Sequence, residues 1–533
     1  MTRLTFSLCV LCVLCGKSSA ADPTYWQDVR PILRKHCVVC HSEKRLDEPD
    51  LSASLALDKP ENIKKGGKNG KVTVLVANKP DESLLVTLLT SKDKKRAMPL
   101  DADPLSPDEI AIIRKWVAVG APDGTKPTDI DTGTTVVGPV RPVRKLDVIF
   151  STKATLPKTA ALPGPLEMTL PVGPLPPVAA VAFSPDGKLL ASGVYGRVTI
   201  WDLATAKPVK VLTNVLGAVN DLKFSPNGKL LAVAGGQPSA RGDLRLFDTS
   251  EWKLLHSLGG HLDTVSGVSF NKDGSKLVSA SFDKTARLWD VKNAKLIHAY
   301  TGHSDFVYAV AFGPDGSWYV TASKDRTGRI IDTATGKGLF TLSGTDQEVL
   351  AVAVHPTSGQ VMAAGLDPLV SWYDPKTGER ARRAGGPGTA NHEIAIDPKG
   401  SLVVTAGGDG SIRTLDPKTA TQLKAMQSGS VVFAVAVDTD AKRIASGGAD
   451  GVVKVWDAPD ARLLVTLWSG TDDNWLSLAP EGYFTGADAL LTKGEWKVTG
   501  KPVTDAKLLA PLKDAGQVGK AAQGQKLTEP VWK

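Results

Sequence analysis

An apolar residue followed by Asp returns seven times between residues 201 and 457: Trp201-Asp202, Phe247-Asp248, Trp289-Asp290, Ile331-Asp332, Tyr373-Asp374, Leu415-Asp416 and Trp456-Asp457. The intervals are 46, 42, 42, 42, 42 and 41 residues. A period this regular constrains the fold more than any other feature. Each unit is too small to bury its own apolar face and has to stack on its neighbours. Roughly 15 residues before the Asp, most units carry a turn such as Phe183-Ser184-Pro185-Asp186-Gly187 or Phe224-Ser225-Pro226-Asn227-Gly228, with relatives ending at Gly274, Gly316 and Gly400. Alternating runs such as Val181-Ala182-Phe183 and Leu189-Leu190-Ala191-Ser192 flank these turns, the pattern of a β-hairpin. Four strands fit in about 42 residues, which is one propeller blade. Seven such units fill 178–470.

The third unit carries Gly260-His261, Ser279 and Ser281, Asp283 and Trp289-Asp290. On these residues the whole stretch resembles the WD-repeat family. The resemblance implies a buried hydrogen-bonded tetrad of His261, either Ser279 or Ser281, Asp283 and Trp289, so that His261 and Asp283 are structural and not a catalytic dyad. The fourth unit keeps Gly302-His303 and Asp325 but has Ile331 for Trp, and the other units lack the His. The propeller shows no nucleophile–base constellation and no Gly-rich phosphate loop. It reads as a binding platform, with partner proteins docking on its rim. The segment Gly235–Asp243 is about five residues longer than its counterpart in the first unit, and loops on a rigid scaffold often carry recognition.

Cysteine placement locates a second function. The chain has 5 Cys among 533 residues. Three lie in 1–20, where Arg3, the apolar run Leu4–Cys15 and the small residues Ser18-Ser19-Ala20 form a secretory signal peptide. Its removal leaves no segment apolar enough to cross a membrane, takes the formal charge from +8 to +6 as Arg3 and Lys17 leave, and places the protein in the periplasm or another extracytoplasmic space. Basic charge in an exported protein is a poor argument for nucleic acid.

The two remaining cysteines stand in Cys37-Val38-Val39-Cys40-His41. This C-x-x-C-H spacing lets two thiols bond the vinyl groups of one haem while the adjacent His reaches the iron. No second Cys pair exists to complete a zinc site. A sixth ligand has to come from a later Met, His or Lys. Met98 stands in a polar stretch, Lys94-Lys95-Arg96-Ala97-Met98-Pro99, where filling a core is implausible; His36, next to Cys37, is badly placed to reach the opposite haem face. A helix follows, with Ser106 as N-cap, Pro107 at its first position, Glu109 completing a capping box, and Ile110, Ile113, Trp116 and Val117 at helical spacing. Tyr25 to Lys35 is its expected partner, bent or shortened by Pro31.

Asp28-Val29-Arg30-Pro31-Ile32-Leu33, Cys37 to His41, Gly66-Gly67, Pro80 to Leu85, Met98-Pro99, Trp116 and Gly120-Ala121 closely resemble the planctomycete-type cytochrome c domain. The resemblance covers about 22–124 and implies one covalently attached haem c with His41 proximal and Met98 distal. It departs at Ala97, where Arg is common. Lys64, Lys65, Lys68, Lys71, Lys92, Lys94, Lys95 and Arg96 make the region basic, as expected if the haem edge meets an acidic redox partner.

The expected organisation is a signal peptide (1–20), a small all-α c-type cytochrome domain (21–124), a Pro-rich linker running extended without a core (125–177), an all-β seven-bladed WD-type propeller (178–470), and a C-terminal tail (471–533) partly packed on the propeller and mobile from Lys513. Either Arg462–Trp468 or Leu166–Leu170 supplies the outermost strand that closes the ring. The expected function is electron transfer joined to protein binding. A redox-sensing scaffold and a haem-dependent oxidoreductase with its site in the propeller are the rival readings.

Overall fold

The computed structural model describes residues 22–30, 32–33, 57, 60–65, 74–91, 93, 98, 105–123, 148–156, 164–170, 172, 175–384, 388–470, 473–498, 500–528 and 530. The chain divides into two compact units, Met1–Val137 and Gly138–Lys533.

The described part of the first unit is helical: a π-helical turn Tyr25–Val29 and helices Pro60–Lys65, Leu84–Leu89 and Pro107–Ala118. The last begins with a complete capping box. The Ser106 hydroxyl accepts from the Glu109 N–H at 3.2 Å, and the Glu109 carboxylate accepts from the Ser106 N–H at 2.9 Å. Ile113, Trp116 and Val117 on its inner face are buried with Tyr25, Val29, Ile32 and Leu33. Polar ends of the two large rings are satisfied: the Tyr25 hydroxyl donates to the Leu57 carbonyl at 3.1 Å and the Trp116 indole N–H to the Pro122 carbonyl at 2.9 Å. The signal-peptide residues 1–20 lie outside the described residues.

The second unit holds seven four-stranded antiparallel blades in chain order: 180–212, 218–257, 265–300, 307–341, 349–384, 391–427 and 432–469. The innermost strand of each blade packs on that of the next, and blade 7 returns onto blade 1, which makes the ring closed. The two middle strands of a blade are the most apolar, as in Lys276–Ser281 and Val361–Gly365, because they face a neighbouring blade on both sides. Turns between the first two strands place Gly187, Gly228, Gly274, Gly316, Gly359 and Gly400 at φ between +67° and +73°. There a side chain is strained, which accounts for the Gly at the end of each turn motif. Blade 7 has Ala441 at φ +56° instead.

Ring closure involves no exchange of strands. Arg462–Ser469 is the fourth strand of blade 7, and Trp475–Leu478 and Phe484–Gly486 extend the same sheet to six. Leu166–Leu170 takes no part in the ring. The stretch expected to run extended without a core contains two strands, Val148–Leu156 and Gly164–Leu170, paired with each other. Glu495–Val498 from the C-terminal segment joins them through Met168↔Trp496, and Phe150, Leu166, Met168 and Leu170 are buried against Phe484, Trp496 and Leu512. Its apolar residues had no visible partner because that partner lies some 330 residues downstream.

The segment after Lys513 is also ordered, contrary to expectation. Helix Ala515–Ala522 is capped by the Asp514 carboxylate, which accepts from the Gly516 and Gln517 N–H groups at 2.9 and 3.1 Å. It buries Val518, Ala521 and Ala522 among Trp201, Leu203 and Ala206 of blade 1 and Val455, Leu464 and Val465 of blade 7. Gly519 has no room for a side chain, since a Cβ would stand 2.1 Å from the Ala204 carbonyl. The Ser477 hydroxyl adds a bond to the Ala206 carbonyl at 2.5 Å. The tail thus covers the seam where the ring closes.

Candidate functional site: a polar propeller channel and the residues of a haem motif

In blade 3, His261 Nδ1 lies 2.8 Å from Asp283 Oδ2 and its Nε2 lies 2.7 Å from Ser279 Oγ, while the Trp289 indole N–H donates to the same Ser279 oxygen at 2.9 Å. Burial lowers the His261 pKa, so the ring is neutral. One proton arrangement then satisfies every atom: Trp289 donates to Ser279, Ser279 donates to Nε2, and Nδ1–H donates to Asp283. Burial pushes Asp283 upward. The bonds it accepts from His261, Thr285 and the Leu262 N–H outweigh this and hold it well below the usual carboxylate range. Ser281 stands outside this relay and donates to the Asp263 carbonyl at 2.9 Å. With every donor and acceptor committed inside the blade, the His–Asp pair is aimed at no cavity.

Blade 4 repeats the arrangement without the indole. His303 meets Asp325 at 2.7 Å and the Thr321 hydroxyl at 2.7 Å. Burial raises Asp325, yet bonds from Thr327, His303 and the Ser304 N–H bring it down to about 2. Blades 1 and 7, which lack the His, retain the other half: Trp201 donates to Ser192 at 3.0 Å and Trp456 to Ser446 at 2.8 Å.

The inner strands of all seven blades line a central cavity of about 410 Å³. At one mouth stand Asn220, Ser266, Tyr308, His392 and Phe433. The Tyr308 hydroxyl donates to Glu348 at 3.1 Å. Phe282 and Phe306 stack beside it with centroids 4.9 Å apart, and the Lys324 ammonium lies 4.9 Å over the Phe306 ring. On the same rim Tyr195 is 65% and Leu262 60% exposed. The long segment of unit two rises here as well, but not as a loose loop. Strands Leu230–Gln237 and Arg241–Asp248 pair all the way to Gln237↔Arg241. The tip is anchored to blade 3, where Ser239 N–H donates to Asp263 at 2.7 Å. Deeper in the cavity lie three charged residues that sequence reading passed over, Asp221, Lys223 and Glu393. Their signal was present: the equivalent inward positions elsewhere are Ala, Gly or Ser.

Of the residues expected to hold haem, Cys37, Cys40 and His41 lie outside the described residues, as do most of the basic residues near Met98. Lys64 is described and pairs with Asp123 at 2.6 Å. Met98 is half-buried, its N–H donating to the Leu88 carbonyl at 3.1 Å and its side chain against the cluster that includes Leu85, Leu89 and Trp116. A thioether at the margin of an apolar helical cluster fits the distal side of a haem, which needs a soft ligand and a dry surround. Met168 is buried in the sheet with Trp496. Among the described residues no helix is long and apolar enough to cross a membrane, and no cluster of three or more His, Cys, Asp or Glu is arranged to hold a metal ion.

The family model described as WD domain, G-beta repeat matches 168–202, 206–248, 252–290, 294–332 and 419–457, and that described as Planctomycete cytochrome C matches 37–101. Residues 333–418 lie between matched segments, yet blades 5 and 6 are four-stranded like the rest. Similar proteins include U3 small nucleolar RNA-associated protein 12 of Saccharomyces cerevisiae, 33% identical over 111 residues, which is 21% of this chain and 11% of that protein. Human WD repeat and SOCS box-containing protein 1 is 34% identical over 104 residues, 19% of this chain and 24% of that protein. An uncharacterized WD repeat-containing protein of Synechocystis is 33% identical over 112 residues, 21% of this chain and 31% of that protein. The chain therefore spans less than a third of each of these relatives.

Proposed function

We propose that this chain, which joins a planctomycete cytochrome C segment to WD repeats, is an exported electron-transfer protein whose propeller docks a partner protein. The observation that carries the reading is the overlap of the 37–101 family match with the motif Cys37-Val38-Val39-Cys40-His41 at its start and Met98 near its end. Cys37 and Cys40 would bind one haem c covalently, with His41 and Met98 as axial ligands in a small all-α domain. When bound, such a group supplies one-electron exchange, and thioether ligation favours the reduced state. The protein's own contribution is positioning and exclusion of water. The capped helix Pro107–Ala118 fixes the apolar cluster, and the Met98 N–H bond to Leu88 holds the ligand's backbone against it.

The propeller supplies recognition. WD repeats are protein-interaction modules, and the rim with Tyr195, Leu262, the Phe282–Phe306 stack and the anchored hairpin offers rigid aromatic and apolar groups of the sort that dominate binding energy. Export follows from the signal-peptide reading of 1–20, and the basic residues around Met98 favour an acidic redox partner. Haem staining on a denaturing gel, with an absorption spectrum of protein matured in an exporting host, tests the reading. Staining lost in Cys37→Ala/Cys40→Ala, and a changed ferric spectrum in Met98→Ala, are the expected results. Wild-type protein that carries no covalent haem would refute it.

A further inference from the structure

The Lys223 ammonium sits inside the channel 2.8 Å from Asp221 of its own strand and 3.6 Å from Glu393. Asp221 and Lys223 belong to blade 2 and Glu393 to blade 6, which are not neighbours in the ring. The contact is therefore made across the lumen. Each carboxylate also reaches sideways: Asp221 accepts from the Val268 N–H of blade 3 at 2.9 Å, and Glu393 accepts from the Val435 N–H of blade 7 at 2.8 Å. At the same depth the wall is otherwise made of small side chains, among them Ala182, Gly267, Ser269, Ala311, Ala353 and Ala436. Among the described residues, only these three span the opening there.

We propose that Asp221, Lys223 and Glu393 form a charged crossbar that ties blades 2, 3, 6 and 7 together through the channel and makes the ring's cohesion depend on pH. A ring closed by packing alone can open at any seam, and the crossbar opposes this by coupling strands on opposite sides. The coupling depends on the charge state of Glu393. Burial pushes its carboxyl well above the usual range, Lys223 opposes the shift, and Asp221 adds to it. Lys223 is held charged: burial disfavours its ammonium, but the two carboxylates outweigh that. The other titratable side chains lining the cavity are Tyr308, hydrogen-bonded to Glu348, and His392, whose pKa burial lowers.

The sign follows from linkage. A carboxyl whose folded pKa is raised binds more protons folded than unfolded, so it costs stability as pH climbs from about 4.5. Lys223 limits that cost. Lys223→Met, which leaves the two carboxylates facing each other with no cation between them, should show a melting-temperature deficit against wild type that widens by several degrees between pH 5 and 9. Glu393→Gln should gain on wild type over the same range, and in the double variant the lysine deficit at high pH should largely vanish. Buried His261 and His303 titrate with the opposite sign, so differences from wild type at each pH are the readout. A Lys223→Met deficit independent of pH, or additive effects in the double variant, would overturn the proposal. If Lys223→Met does not fold, Asp221→Asn serves in its place: it keeps the lysine, lowers the Glu393 pKa and should gain on wild type as pH rises. A flat difference for Asp221→Asn also overturns it. None of these outcomes bears on haem attachment.

Discussion

Trp289, Ser279, His261 and Asp283 form a chain of hydrogen bonds in which each member supplies what the next one lacks. The WD-repeat resemblance implied His261, Asp283 and Trp289 and left the serine open, because Ser279 and Ser281 stand two residues apart on the same face of one strand. The structure chooses Ser279, whose hydroxyl lies within hydrogen-bond reach of both His261 and the Trp289 indole, whereas Ser281, one pair further along, donates to the Asp263 carbonyl. Blade 4 shows what the indole adds. It lacks Trp yet is a complete four-stranded sheet, so the indole bond is stabilising without being required for the fold. Trp289→Phe should therefore lower unfolding stability by about 1–2 kcal/mol, the value of a buried hydrogen bond with its packing, and leave the native fold unchanged. Urea denaturation read by circular dichroism checks this. A loss below about 0.5 kcal/mol would mean that the relay contributes little.

At the scale of elements, the hairpin of blade 2 is the part that departs most from its repeat. It holds its shape because its backbone approaches neighbours too closely for side chains. A Cβ on Gly235 would stand 2.1 Å from the Ala218 carbonyl, and one on Gly242 would stand 2.6 Å from the Asp263 carbonyl and 2.7 Å from His261 Cβ. By sequence the segment reads as a longer loop that could carry recognition. Packing uses its glycines as points of close contact. Gly242→Ala should cost about 1–3 kcal/mol through this clash and release the tip from blade 3. Faster hydrogen exchange at Ser239 and Gly242, with the core of blade 5 unchanged, is the expected signature. Unchanged exchange at the tip would show that the neighbouring backbone accommodates the methyl group.

For the propeller unit as a whole, the question is what keeps the ring shut. Blade 1 and blade 7 are each built from consecutive strands, so no shared strand locks them. The Val178 N–H bond to the Gly448 carbonyl at 3.0 Å, the Thr439 hydroxyl bond to the Pro185 carbonyl at 2.6 Å and the Arg443 bond to the Gly187 carbonyl at 2.7 Å cross the seam. Helix Ala515–Ala522 then covers the apolar residues on both sides of it. Ending the chain after Leu512 would expose Trp201 and Leu203 and remove the burial of Val518, Ala521 and Ala522. Stability should fall by on the order of 3 kcal/mol, with early proteolysis near Leu203 to Lys207 instead of at other blades. Equal protease resistance in the full and shortened chains would show that the blade contacts suffice.

The blade count and the turn positions could be read directly from the chain, because each depends on contacts within about 42 residues and recurs with that period; the tetrad followed from the family resemblance those repeats carry. Capping of the Pro107 helix was legible for the same reason, since a capping box is written in four consecutive residues. The stretch 125–177, expected to be a coreless linker, contains paired strands, and the tail beyond Lys513, expected to be mobile, is a packed helix, because their apolar residues pack on segments hundreds of positions away. The crossbar escaped notice for a related reason. Asp221, Lys223 and Glu393 look like ordinary surface charges within their own strands, and only closure of the ring brings blade 2 opposite blade 6. Local hydrogen bonding and periodicity act along the chain and leave a pattern there, whereas the seam, the satellite sheet and the channel exist only once distant segments meet.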